Sequence, residues 1–172
     1  MDAFNDSAIS GNLVFPETLN YIGESAFHGC SNLTGSLVIP DRVAKIGIGA
    51  FSGAGLSGTL TLPKGLVEIE SIAFSGTKLK GDLHIPDGVT TIGSGAFANT
   101  QFSGTLVLPS ELISLGSEVF QGCWRLGGIV TIPSSIVAVP SRLFYGCTGL
   151  EGIALHKDIE VIESSAFQNC TG

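Results

Sequence analysis

Apolar and polar positions along this chain obey a rule that repeats every 23 or 24 residues. Two apolar residues flank one outward residue just before a proline: Leu37 and Ile39 before Pro40, Leu60 and Leu62 before Pro63, Leu83 and Ile85 before Pro86, Leu106 and Leu108 before Pro109, Val130 and Ile132 before Pro133. Leu13 and Phe15 before Pro16, and Ile153 and Leu155 before His156, extend the series at both ends, with His156 in the seventh proline place. Alternation with a period of two turns one face of a short strand inward. Proline then ends the strand, because it has no N–H to give to a ladder. Three and six residues past the proline come further aliphatics, Val43 and Ile46, Leu66 and Ile69, Val89 and Ile92, and so on, which carry the chain back across a core. Eleven past it stands a phenylalanine in every repeat: Phe27, Phe51, Phe74, Phe97, Phe120, Phe144 and Phe167.

The connections have their own chemistry. Ser71, Ser94, Ser117, Ser141 and Ser164 lie three residues before a phenylalanine, where a serine can cap a single helical turn. Two residues after each phenylalanine stand Gly29, Gly53, Gly76, Asn99, Gly122, Gly146 and Asn169, types that accept a left-handed backbone and so end a turn. Length varies only between Phe27 and Pro40 and between Phe120 and Pro133, each one residue longer than the other intervals, which marks the tolerant loop. A single repeat cannot bury its own apolar face, so neighbours must stack, and seven rungs at about 4.8 Å make a rod roughly 34 Å long. Phe4 fits the same frame, so the chain opens and closes in mid-repeat. The expected organisation is one array over residues 1–172, about seven repeats, belonging to a longer protein.

Composition narrows the function. Charged residues make up 13% of the chain, and eight Lys and Arg against fifteen Asp and Glu give a net charge of −7, the wrong balance for phosphate backbones. No apolar run reaches the roughly 18–20 residues of a membrane span, and the first residues lack the basic and apolar regions of a signal peptide. Cys30, Cys123, Cys147 and Cys170 each follow a phenylalanine by three residues, a place that Ala54, Thr77 and Thr100 fill elsewhere. Small buried side chains fit that column, although a disulfide between neighbouring rungs and a zinc site stay open as alternatives. His28, His84 and His156 fall in three different columns, as surface residues do. No nucleophile–base set, paired acidic column or phosphate-cradling loop appears, so neither catalysis, metal nor cofactor is expected.

The string Leu-x-Gly-x-Leu-x-Ile-Pro-x-x-Val-x-x-Ile-Gly-x-x-Ala-Phe, read from Leu33 to Phe51 and again from Leu79 to Phe97, resembles the BspA-like leucine-rich repeat family over essentially the whole chain. The resemblance implies a leucine-rich repeat solenoid: a right-handed superhelix of short parallel strands with one-turn helical or irregular connections, mostly β with little helix. It also implies an exported or surface-anchored protein of bacteria or protists, active in adhesion to host matrix or cell-surface proteins. Departures touch single rungs: His156 for proline, Glu70, Pro140 and Glu163 for the glycine after Ile, Val119 and Leu143 for alanine before Phe.

Two and four residues before each proline, the outward strand positions form two nearly uncharged stripes that include Thr59, Thr61, Asp82, His84, Thr105, Val107 and Thr131. Such a flat sheet is where solenoids bind partners, and the same residues also suit strands for propensity alone. Trp124, in a lengthened loop, and Tyr145 in the next repeat are aromatics that either anchor a contact or pack along the ridge. The expected function is a non-enzymatic surface or secreted module that binds a protein partner. The alternatives are a structural spacer presenting another domain and, third, a carbohydrate-binding module, though the stripes lack aromatic platforms. No nucleic acid or direct membrane insertion is expected, and the chain should be a monomer or make end-to-end contacts.

Overall fold

The computed structural model describes residues 3–172. In chain order its strands are β1 (Leu37–Val38), β2 (Lys45–Ile46), β3 (Leu60–Thr61), β4 (Glu68–Ile69), β5 (Lys80–His84), β6 (Thr91–Ile92), β7 (Gln101–Val107), β8 (Ser114–Leu115), β9 (Leu126–Thr131), β10 (Ala138–Val139), β11 (Leu150–Ala154) and β12 (Val161–Ile162). Odd-numbered strands precede the proline position and even-numbered ones follow it, so each repeat is one rung with two strands. We number the rungs by that position, from rung 1 at Pro16 to rung 7 at His156. Rungs 2–7 carry the twelve strands and make about five full turns, while rung 1 forms no strand and meets rung 2 through the bridges Gly11–Leu33 and Ile22–Ile46, its turn hydrogen bonds and the stacking of Phe27 on Phe51.

All pairing is parallel, β1 with β3, β5–β7–β9–β11 in one row, β2–β4–β6–β8 in a second, and β10 with β12. This is a β-solenoid, and the reason lies in the columns. Ile46, Ile69, Ile92 and Leu115 pair in register, and every rung drops its phenylalanine onto the one before. The Phe27, Phe51, Phe74 and Phe97 rings stack 5.4–5.5 Å apart within 5° of parallel. Phe120, Phe144 and Phe167 continue the column at 5.5–6.1 Å. Phe51, Phe74, Phe97, Phe120 and Phe144 are fully buried, each worth roughly 1.5–3 kcal/mol in removed apolar surface and about 1 kcal/mol more in ring contacts. Phe102 sits edge-on to Phe97 at 6.0 Å and fills the added width of the long β7.

The segment around each phenylalanine is not the serine-capped helical turn that the sequence predicts; among the described residues there is no helix. The residue just after the serine column has positive φ in every rung: Ser25, Gly49, Ile72, Gly95, Glu118, Arg142 and Ser165, at 51–63°. A left-handed residue cannot continue a right-handed helix. The segment becomes three linked turns instead, as in Ala50 N–H to Gly47 O, Ser52 N–H to Gly49 O and Ala54 N–H to Phe51 O. The residues in between give their N–H groups to the next rung, Gly49 to Ser71 O, Phe51 to Ala73 O and Gly53 to Ser75 O. The expected left-handed column two residues past the phenylalanine is present, from Gly29 at 67° to Asn169 at 64°.

The departures from the repeat turn out to be local solutions. A Cβ at the glycine of the Ile-Gly pair presses on the preceding rung's backbone, as at Gly47 against Glu24 N. Where Glu70 and Glu163 stand there, their carboxylates accept the N–H of Ile48 and Ser141 at 2.9 Å. His156 replaces the proline by bonding Nε2 to the Ile136 carbonyl at 3.1 Å while Nδ1 accepts from Asp158 N–H at 3.3 Å.

Candidate functional site

Strand geometry places the predicted face where the alternation puts it. Thr59 and Thr61 at β3, Asp82 and His84 on β5, Thr105 and Val107 on β7, and Thr131 on β9 are all exposed, with Leu60, Leu83, Leu106 and Val130 between them buried. The face is broadest where β5, β7, β9 and β11 run five to seven residues each. It is also unusually apolar for a solvent-facing surface, with Val107 69% and Ile129 59% exposed.

Three of the predicted residues share a concavity. Between rungs 5 and 6, Thr105, Val107, Ile129 and Thr131 line a hollow of about 240 Å³, floored by Leu106 and Leu108 and closed at one end by Ser110 and Pro133. It exists because β7 and β9 pair only at Gly104–Leu126 and Thr105–Gly127, so the strands part further along. A second apolar hollow on this face lies between rungs 1 and 2, lined by Val14, Phe15, Val38 and Pro40. Thr59, Thr61, Asp82 and His84 lie between the two hollows and line neither. Thr59 bonds its backbone and its hydroxyl to Ser36 Oγ at 3.0 and 3.1 Å, which fixes it flush with the sheet.

Trp124 is 51% exposed with the Arg125 guanidinium over its ring at 4.7 Å, and Tyr145 is half-buried in the turn ladder. His84 is exposed as expected, but His28 and His156 are half-buried and bonded, His28 to Asn5 Oδ1 at 3.1 Å. The opposite face also carries apolar groups that the sequence reading passes over, Val67, Ile113 and Val137. Their signal is an aliphatic pair, Leu66-Val67, Leu112-Ile113 and Ile136-Val137, in which only the first residue points inward. That face is charged as well: Lys45 Nζ lies 3.0 Å from Glu68 and also pairs with Glu70, and the hydrogen bonds to Glu70 and then Glu68 hold the ammonium well above its ordinary pKa.

The four cysteines are free thiols. Each Sγ–H donates to the phenylalanine carbonyl of the preceding rung: Cys30 to Phe4 O, Cys123 to Phe97 O, Cys147 to Phe120 O and Cys170 to Phe144 O, at 2.9–3.1 Å. Thr77 and Thr100 satisfy the equivalent carbonyls of their own rungs, Phe74 and Phe97, at 2.9 and 2.8 Å. Burial pushes the thiols up from their ordinary pKa, and at Cys147 the neighbouring Cys123 and Cys170 add to it. Such thiols are poor nucleophiles and poor metal ligands, and among the described residues no three His, Cys, Asp or Glu side chains converge.

A stack of strand–turn rungs with a phenylalanine ladder and an exposed, smooth strand face defines a leucine-rich repeat solenoid. The chain belongs to the BspA type leucine rich repeat family, whose model matches it in six copies over residues 1–127 and 68–172. A leucine-rich repeat protein of T. pallidum shares the fold at a TM-score of 0.76 and 26% identity, over 93% of this chain and 76% of that one. A leucine-rich repeat protein from Bacteroides ovatus aligns at 22% identity and a TM-score of 0.46, over 91% of this chain and 57% of that one. No curated protein matches the sequence.

Proposed function

We propose that this solenoid is a non-catalytic protein-binding module that works through its strand face, on a surface-exposed or secreted protein. The observation that carries the reading is the hollow bounded by Thr105, Val107, Ile129 and Thr131, set in a broad sheet whose outward residues are almost uncharged. Desolvating such a face on binding sets free few charges and buries β-branched side chains already fixed in strands, so little side-chain entropy is lost. Contiguous exposed apolar surface on a well-folded rod is the usual mark of a contact site. Adhesion and surface location come from the family resemblance, and the partner class it implies is a host matrix or cell-surface protein.

The test is binding of the protein to a panel of matrix proteins and glycans, beside a variant carrying Thr59→Glu, Thr61→Glu, Thr105→Glu and Thr131→Glu. Saturable binding to a protein, lost by the variant while its circular dichroism stays unchanged, is the expected result. Binding to glycans alone moves the assignment to a carbohydrate module. No binding by either form overturns the reading for these rungs and leaves a spacer that presents another domain.

A further inference from the structure

We propose that the solenoid is jointed between rungs 5 and 6, pivoting on the phenylalanine edge and opening on the second sheet. The residue seven past the proline position normally ties each rung to the one before. Gly47, Glu70, Gly93, Gly116 and Glu163 donate their N–H groups to the carbonyls of Ile22, Ile46, Ile69, Ile92 and Val139, at 2.8–3.0 Å. In rung 6 that place belongs to Pro140, which has no N–H, so the Leu115 carbonyl loses the bond its counterparts receive. A proline inside a ladder is tolerated at edges and breaks, and here it makes one.

The loss spreads beyond one bond. Val67, Thr90, Ile113 and Glu160 give their N–H groups to Ala44, Val67, Thr90 and Val137, at 2.8–3.0 Å, but Val137 makes no such bond to Ile113. β8 and β10 are therefore unpaired, the second sheet divides into β2–β4–β6–β8 and β10–β12, and Leu115 is only partly buried where Ile46, Ile69 and Ile92 are sealed. Ile113, Leu115, Ile136 and Val137 line a shallow gap at the break. The extra residue between Phe120 and Pro133 does not account for the missing seventh-place bond. The same insertion precedes rung 2, whose Gly47 N–H still reaches Ile22 O at 3.0 Å.

The phenylalanine edge of the same junction stays closed. Glu118, Phe120 and Gly122 donate to Ser141, Leu143 and Tyr145 at 2.7–3.0 Å, and the Phe120 and Phe144 rings stack at 5.5 Å. At the opposite edge the Ser135 hydroxyl still donates to the Leu112 carbonyl, but the backbone ladder is absent, and two stacks tied by backbone bonds along one edge and not along the other move by pivoting. The strand-face hollow draws Thr105 and Val107 from rung 5 and Ile129 and Thr131 from rung 6, so the pivot changes its width. The joint itself stands whether or not that hollow binds a partner.

Residue-resolved hydrogen exchange on the whole chain tests this, in the wild type and in Pro140→Ala, which restores the N–H while keeping a Cβ. The wild-type amides of Val137 and Ala138 should exchange at least about tenfold faster than those of Thr90 and Ile113, the factor expected for about one lost hydrogen bond. Phe120 and Gly122 should stay as slow as Phe97. In Pro140→Ala, or in Pro140→Gly if alanine perturbs folding, the Val137 amide should slow by about tenfold. Equal wild-type protection at Val137 and Thr90 overturns the proposal. So does rapid exchange at Phe120 and Gly122, which means the rungs separate rather than pivot, and so does a folded Pro140 variant in which Val137 is unchanged.

Discussion

At the scale of single residues, the most demanding position is the left-handed one nine residues past the proline. Gly49 and Gly95 meet it without cost, and Ser25, Glu118, Arg142 and Ser165 meet it with unbranched side chains. Ile72 meets it at φ 51° with a branched Cβ, where an L-residue pays about 1–2 kcal/mol and a β-branched one is a genuine outlier. Its side chain recovers part of that by lying over Gly49 and Gly95, whose missing Cβ atoms leave room for it, yet 41% of it remains exposed. Ile72→Gly should therefore raise the unfolding free energy by about 1 kcal/mol despite removing four carbons from the fold. Ile72→Val, which keeps the branch, should bring no gain. Urea denaturation of the three proteins checks this, and a loss of stability in Ile72→Gly would show that contact, not backbone strain, dominates the site.

At the scale of the element, the second strand and its following residue decide how closely rungs approach. A Cβ placed on Gly116 meets Ser94 Cα and Gly93 C of the preceding rung at 2.7 and 2.8 Å and lies closer still to Ser94 N. Gly116→Ala should thus destabilise by roughly 1–3 kcal/mol, the usual cost of overpacking. Gly116→Glu should cost less than alanine although it is larger, because its carboxylate can accept the Ser94 N–H as Glu70 accepts that of Ile48. Thermal unfolding of the two variants gives the order directly, and alanine outranking glutamate would refute the account of Glu70 and Glu163. These contacts also show where the sequence is legible. The odd-numbered strands and the phenylalanine ladder are readable because alternation and a fixed eleven-residue offset each state one inward direction. The even-numbered strands are not, since Leu66-x-x-Ile69 and its equivalents carry a three-residue spacing and strands only two residues long. Nor is the turn: a serine before a left-handed residue has the composition of a helix cap, and only the backbone tells them apart. The exposed stripe of Thr59 to Thr131 was legible, whereas the hollow depends on the parting of β7 from β9, which no local pattern records.

At the scale of the whole molecule, every rung touches only its neighbours, so stability is a sum of rung terms and junction terms. The repeat frame then makes a sharp prediction about deletions. Removing residues 64–86 joins Pro63 to Asp87, preserves the offset from proline to every later column, and lets β6 stack on β2 and β7 on β3. The shortened chain should fold, with a rod shorter by about 4.8 Å in small-angle scattering and a modestly lower melting temperature. It loses one rung and one junction and also sheds the strained Ile72, which softens the penalty. Removing only residues 64–74 joins Pro63 to Ser75 and puts the proline and phenylalanine columns out of step. Aliphatics would then face solvent and the ring ladder would be cut at its middle, so this smaller deletion should unfold the protein while the larger one does not. Near-equal damage from both would mean that long-range order along the rod, rather than the register between adjacent rungs, holds the solenoid together.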